Sequence, residues 1–189
     1  MMTYPNAAAG LKTLYQAKLV GLISIVLVIV PIVQVLAVAA MLIAGFLALV
    51  GLAQCRKDDK GYRIAFNMII ASLVTDLSTN LVSAYAGTEG FAGICGNILS
   101  IATDVLSLAS LYFVCITTNR LLKETAAAEN LIDRGIVVWK LNVVCTVILL
   151  VCYLLQMIPG NIAAIIAGYL AIFALIAQIV GNVLYILYL

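Results

Sequence analysis

Between Lys18 and Arg56 the chain carries no charged residue, and the apolar run is continuous rather than alternating. As one helix this stretch would be about 50 Å long at 1.5 Å per residue, against about 30 Å of bilayer hydrocarbon. Pro31 and Gln34 stand near its middle, so the pattern predicts a tight helical hairpin with helices over 11–30 and 35–53. A second uncharged run, Leu141 to Leu189, is broken by Pro159-Gly160-Asn161. It predicts another hairpin over 136–157 and 162–187, with Asn161 as helix cap. Between them, 62–85 and 91–118 flank the turn-like Ala86-Gly87-Thr88-Glu89-Gly90. The reading is an all-α membrane bundle of six transmembrane helices in three consecutive hairpins, one domain over 1–189. A β-barrel needs alternating segments and is excluded. The polar stretch 119–135, with Ala126-Ala127-Ala128, reads as a helical connector too short to be a catalytic domain.

Charge placement supports the count. Six spans put Lys12, Lys18, Arg56, Lys57, Lys60, Arg63, Arg120, Lys123, Arg134 and Lys140 on one face, together with both termini. These are all the basic residues of the chain, as expected of a cytoplasmic face. Merging either hairpin into one span would split them. Both termini are therefore expected in the cytoplasm, with the bundle in the inner (plasma) membrane. Tyr15, Tyr62, Trp139, Tyr185 and Tyr188 fall at that boundary, and Tyr62, Trp139, Lys140 and Tyr185 are expected to anchor the helices there.

Composition agrees: 66% of the 189 residues are hydrophobic and 10% charged, with a mean hydropathy of +1.22. A soluble domain is nearer 45–50% apolar and about 25% charged. A soluble globular domain, a disordered segment and a nucleic-acid-binding partner role are excluded. The chain has no His, which removes His-based acid–base chemistry, Ser-His and Cys-His dyads and His-ligated metals. No cofactor or metal is expected. The five cysteines form no CxxC pair and read as small apolar fillers. Cys145 and Cys152 share a helix face seven residues apart, and at about 10 Å they are too distant for a disulfide. Ala37-Val38-Ala39 superficially resembles a signal-peptide cleavage site. The apolar run continues to Leu52, so the first hairpin is expected to stay uncleaved. Leu52-Ala53-Gln54-Cys55 lacks the small residue a lipoprotein box needs before its cysteine.

Polarity enters the membrane in helices 3 and 4. Ser72, Thr75, Asp76, Thr79 and Ser83 recur at spacings of three and four, with Asn80 at the edge, and Gly93, Asn97, Ser100, Asp104 and Ser107 do the same. Two such stripes on consecutive antiparallel helices should face each other. Folding the hairpin at Thr88 brings Asp76 towards Ser100 and Asp104 towards Ser72, with both carboxyls near the midplane about 6 Å apart in depth. An ionised carboxylate there costs about 2.5–3.5 kcal/mol, which favours the protonated form of at least one. The candidate polar or ion site is Asp76 and Asp104 with Ser72, Thr75, Thr79, Asn97, Ser100 and Ser107.

Three functions fit a seam of this kind. It can hydrogen-bond the helix pair in register, at about 0.6 kcal/mol per contact. It can bind a proton or small cation on a transport path. It can activate water, as in an intramembrane aspartyl protease, but Asp104 follows Ile101-Ala102-Thr103 rather than a Gly-x-Gly element and Asp76 follows Thr75 rather than Tyr. No enzymatic activity is expected.

Small residues recur at Ala40, Ala44 and Ala48, and at Ala163, Ala167, Ala171 and Ala174, followed by Ala177 and Gly181. These are close-packing faces, within the chain or between subunits, and a second copy or a membrane partner would use them. Gln178 and Asn182 read as interhelical contacts. A faint repeat, Gly-x-basic-x-x-aromatic-amide, joins Gly10-Leu11-Lys12-Thr13-Leu14-Tyr15-Gln16 to Gly61-Tyr62-Arg63-Ile64-Ala65-Phe66-Asn67, and Gly135 to Asn142 follows it loosely. Duplication of a hairpin would produce this, and so would a shared basic and aromatic membrane boundary.

The Gly10-Leu11-Lys12…Tyr15 opening, the Gly61-Tyr62-Arg63 restart and the six-span layout resemble small uncharacterised multi-span membrane proteins found widely in bacteria. The resemblance implies location and helical architecture, and no functional residue is carried over from it. The sequence reading favours a non-enzymatic protein acting through helix packing with itself or a partner. The alternative is a small proton- or cation-coupled transporter or channel using Asp76 and Asp104.

Overall fold

The computed structural model describes residues 4–28, 34–87, 90–124, 129–156 and 161–189. They form six helices: α1 (Pro5–Val28), α2 (Gln34–Cys55), α3 (Lys60–Ala86), α4 (Gly90–Glu124), α5 (Glu129–Gln156) and α6 (Asn161–Tyr188). Five stretches are long and apolar enough to cross a membrane: Val35–Cys55, Lys60–Tyr85, Gly90–Lys123, Leu131–Leu155 and Ile165–Tyr188. The described part of α1, which carries Lys12 and Lys18, is not among them. The protein is a multi-pass helical membrane protein.

The ends of the helices follow local chemistry. Pro5 opens α1, where a missing N–H costs nothing, so the helix starts earlier than the apolar pattern suggests. Asp59 caps α3 in extended conformation and accepts the Gly61 N–H at 2.6 Å. α3 stops at Gly87, whose φ of 81° and that of Gly90, 60°, are left-handed values that glycine adopts without strain. The expected turn elements Thr88 and Glu89, Pro31, Pro159-Gly160 and Ala126–Ala128 lie outside the described residues. α4 is 35 residues long, about 52 Å, and so outruns the hydrocarbon. α4 to Glu124 and α5 from Glu129 take up most of the stretch read as a separate connector, because neither helix meets a breaker there.

Each helix packs against its neighbours in chain order, and α1 closes on α6. Among the described residues the six therefore form a ring with no helix through its centre. Packing is densest within the hairpins α1–α2, α3–α4 and α5–α6.

The main core sits at one end of the ring, where α1, α3 and α5 begin and α2, α4 and α6 finish. It comprises Ala7, Leu14, Leu52, Cys55, Tyr62, Ala65, Val114, Cys115, Leu121, Val138, Tyr185 and Tyr188. All six helices contribute to it. The basic residues cluster at the same end, which is called the basic end below.

Three glycines set the hairpin crossings there. A Cβ at Gly10 would lie 2.4 Å from the Gly51 carbonyl oxygen and 2.4 Å from Cys55 Sγ. At Gly61 it would lie 2.0 Å from Thr117 Oγ1, and at Gly135 2.6 Å from Asn119 Oδ1 and 2.8 Å from the Tyr188 ring. These are the glycines of the faint sequence repeat, and each presses its helix onto the closing part of its hairpin partner. Small residues elsewhere serve the same end: Ala167 and Ala174 are buried, and Gly181 packs against Leu141 and Asn142 of α5. Cys55, Cys115, Cys145 and Cys152 are free and buried among the helices.

Candidate intramembrane polar site

The α3–α4 seam forms as a hydrogen-bonded contact. Ser72 and Ser107 share a bond of 2.7 Å between hydroxyls, and Ser72 Oγ also lies 3.4 Å from the Thr103 carbonyl. Ser72 thus lands on the turn of α4 that carries Asp104, close to the expected register. The Thr75 and Thr79 hydroxyls donate to the carbonyls of Ala71 and Thr75 on their own helix, at 2.9 and 3.0 Å. Asn97 and Ser100 face Thr79 and Ser83 across a cleft of about 300 Å³ at the far end of the hairpin. The lining of that cleft stops short of both aspartates.

The carboxyls behave differently from their neighbours. Asp76 is exposed, as is Asn80. Helical residues are turned by about 100° each, so Asp76 lies about 40° from buried Ser72 on one side and about 40° from buried Tyr62 on the other. The exposed apolar face of α3 runs from Leu73 and Leu77, 41% and 63% accessible and about 60° and 100° away, to Leu81 and Val74, 56% and 58% accessible and about 140–160° away. Asp76 therefore sits on the side of α3 that carries its buried residues while staying exposed itself.

Asp104 occupies the matching side of α4, about 20° from buried Cys115. It is partly buried, and its Oδ2 has no hydrogen-bond partner among the described residues. Tyr153 of α5 reaches towards its carboxyl, and Asp76 is near enough to act on it electrostatically. The two acids thus converge from α3 and α4 with a phenol from α5.

Nearer the basic end the interior holds a cation. Lys18 Nζ donates to Asn182 Oδ1 of α6 at 3.4 Å and lies 5.2 Å from the centre of the Tyr185 ring. A cleft of about 330 Å³ between α1, α2 and α6 reaches Lys18 and Asn182. Asn182 is thus an interhelical contact, and exposed Gln178 lies one turn farther from the basic end on the same face. Sequence reasoning did not place Lys18 or Tyr153 in the interior. Lys18 shares a helical face with Leu14 and Gly21, a spacing that could have shown it, whereas nothing marked Tyr153.

Below these groups the core closes the ring. Thr118 donates to the Val114 carbonyl, so the buried Tyr62 hydroxyl donates to Thr118 Oγ1, at 2.8 Å. The Tyr188 hydroxyl donates to Asn119 Oδ1, also at 2.8 Å, and Tyr185 stacks on Tyr188. Tyr62 and Tyr185, expected as boundary anchors, are thus buried inside the bundle, 0% and 4% exposed. Trp139 is half-buried with its edge against Tyr112, and Lys140 is exposed. No protein-family model, curated protein or solved structure matches the chain.

Proposed function

We propose that this protein is a small membrane transporter or channel in which Asp76 and Asp104 bind a proton or small cation inside the helix ring. The observation that carries the reading is the placement of Asp76, exposed while sharing a helical face with buried Ser72 and Tyr62. A carboxylate needed only to fix helix register would be covered by its partner helix. One left exposed, beside a second carboxyl with an unpartnered oxygen, suits an ion that arrives and leaves. Tyr153 supplies a neighbouring hydroxyl, and the two acids together offer the negative charge a cation needs.

The proposal includes six spans, α1 being the sixth, with both termini in the cytoplasm of a bacterial inner membrane. It includes no covalent chemistry. The gathering of basic residues at one end supports that orientation.

Helix packing with a second copy or a partner is the competing role, and the Ser72–Ser107 bond favours it for the seam itself. Proton and cation flux into proteoliposomes separates the two. The transport reading expects wild-type flux well above that of empty vesicles, lost in Asp76→Asn/Asp104→Asn protein that still folds. Flux equal to empty vesicles, or flux unchanged in the double variant, would overturn it.

A further inference from the structure

The Ser72–Ser107 bond sets the register of α3 against α4. Seven residues farther along each antiparallel helix, Thr79 and Ser100 stand level, and Ser83 stands level with Gly96. Gly93 and Gly96 give α4 no side chain on this stretch, and the two helices leave a cleft of about 300 Å³ between them. Its polar lining is Thr79, Ser83, Asn97 and Ser100, with no charged group among them. A Cβ at Gly96 would meet nothing within 4 Å, so the space is open at the glycine itself.

Each of the four polar side chains can present an oxygen to the cleft. Thr79 gives its hydroxyl proton to the Thr75 carbonyl of its own helix at 3.0 Å, which leaves its lone pairs free. Ser83, Asn97 and Ser100 have no hydrogen-bond partner among the described residues, and each carries an oxygen able to accept. The surrounding charge has one sign: between Arg63 and Arg120 the chain holds Asp76, Glu89 and Asp104 and no basic residue. Thr79 follows Asp76 by three residues and Ser100 precedes Asp104 by four, so the inner end of the cleft lies about one turn from both aspartates. At its mouth the C-terminal end of α3 and the N-terminal end of α4 meet, and their opposite dipole ends offset.

We propose that this cleft binds a small monovalent metal cation, held by the neutral oxygens of Thr79, Ser83, Asn97 and Ser100 in place of its water, before it reaches Asp76 and Asp104. The route rests on the transport reading above and names a metal cation rather than a proton as the substrate. An anion is repelled by the acids one turn away. A divalent ion holds its water tightly or takes carboxylate ligands, and the cleft offers neutral oxygens alone. A proton needs hydroxyls that pass it on, and Thr79 has committed its own. Oxygens that replace hydration water are what a monovalent cation needs on entering a membrane interior.

The full-length protein in detergent is melted in sodium chloride and in choline chloride at equal ionic strength. Sodium at ten times its dissociation constant should raise the melting temperature by roughly 3–6 °C. Ser83→Ala/Ser100→Ala removes two of the oxygens, and Gly96→Val puts a side chain into the cleft from a Cβ that meets nothing. Each variant should keep its melting temperature in choline and lose the sodium shift. Equal melting of the wild type in both salts would overturn the proposal. So would a sodium shift that both variants keep and Asp76→Asn/Asp104→Asn loses, which assigns the ion to the aspartates alone. Sodium flux into proteoliposomes should fall in the same cleft variants. A cleft-dependent melting shift without flux keeps the site and removes the transport reading.

Discussion

Asp58 and Asp59 are adjacent in the chain but hold the first turns of two different helices. Asp58 accepts the Ala7 N–H of α1 and the Asn6 amide, both at 2.7 Å, while Asp59 accepts the Gly61 N–H of α3 and pairs with Arg120 of α4. Helix N-termini offer unpaired N–H groups and a positive dipole end, and a carboxylate satisfies both. The loop between α2 and α3 thereby ties α1, α3 and α4 together.

This arrangement makes stability acid-sensitive. Burial works to raise the Asp58 carboxyl, but the hydrogen bonds from Asn6 and Ala7 outweigh it and hold the group below its ordinary value. A carboxyl lowered in the folded state stabilises fully above its unfolded value, about 3.9, and the benefit is lost as pH falls through the lower folded value. Thermal unfolding in detergent should show melting temperature falling below about pH 4, with a shallower fall in Asp58→Asn. Asp58→Ala should cost about 1 kcal/mol at neutral pH.

The glycine crossings predict contrasting effects from one added methyl group. Gly10→Ala drives a Cβ into the Gly51 backbone carbonyl, and the overpacking should cost about 1–3 kcal/mol. Gly61→Ala meets Thr117 Oγ1 and should cost a similar amount. At Gly45 nothing lies within 4 Å, so Gly45→Ala should be neutral or stabilise by up to about 1 kcal/mol. Melting temperatures of the three variants check the order.

Removing the Tyr62 hydroxyl tests the core at the basic end. Tyr62→Phe leaves a buried Thr118 oxygen without its donor and should cost about 1 kcal/mol. Tyr62→Phe with Thr118→Val removes both partners, and the pair should cost less than the two single changes added together. A double-mutant cycle on unfolding in detergent measures the difference.

The seam has its own cycle. Ser72→Ala and Ser107→Ala each remove one side of a single bond, with an expected coupling of about 0.6 kcal/mol. Loss of that bond should leave ion flux in place, whereas Asp76→Asn should reduce it. Stability and flux read on the same variants distinguish the packing residues from the carboxyls.

Hydropathy and charge made the helices legible in the sequence, because continuous apolar runs and confined basic residues are direct signatures of a bilayer. The pairing of α3 with α4 was legible too, since hydroxyls three and four residues apart can meet only on facing stripes, and Ser72 meets Ser107. The exposure of Asp76 was not. A stripe about 100° wide includes residues covered by the partner helix, such as Ser72, and residues left exposed, such as Asp76, and spacing alone does not separate them. The burial of Tyr62 and Tyr185 was not legible for a related reason: an amphipathic ring suits a membrane boundary and a packed interior equally well. Asp58 gave no signal at all, because its partner Ala7 N–H lies 51 residues away in the chain.

The glycine crossings at one end of the ring also have a mechanical meaning. Each hairpin is clamped at Gly10, Gly61 or Gly135 and is joined less densely to the next, which makes the three pairs levers pivoted at a common base. From Thr117 to Gly90 the arm of α4 is about 40 Å long, so a swing of about 10° displaces its tip by about 7 Å. A small adjustment among the tyrosines at the pivot would therefore be amplified at the opposite end of the ring.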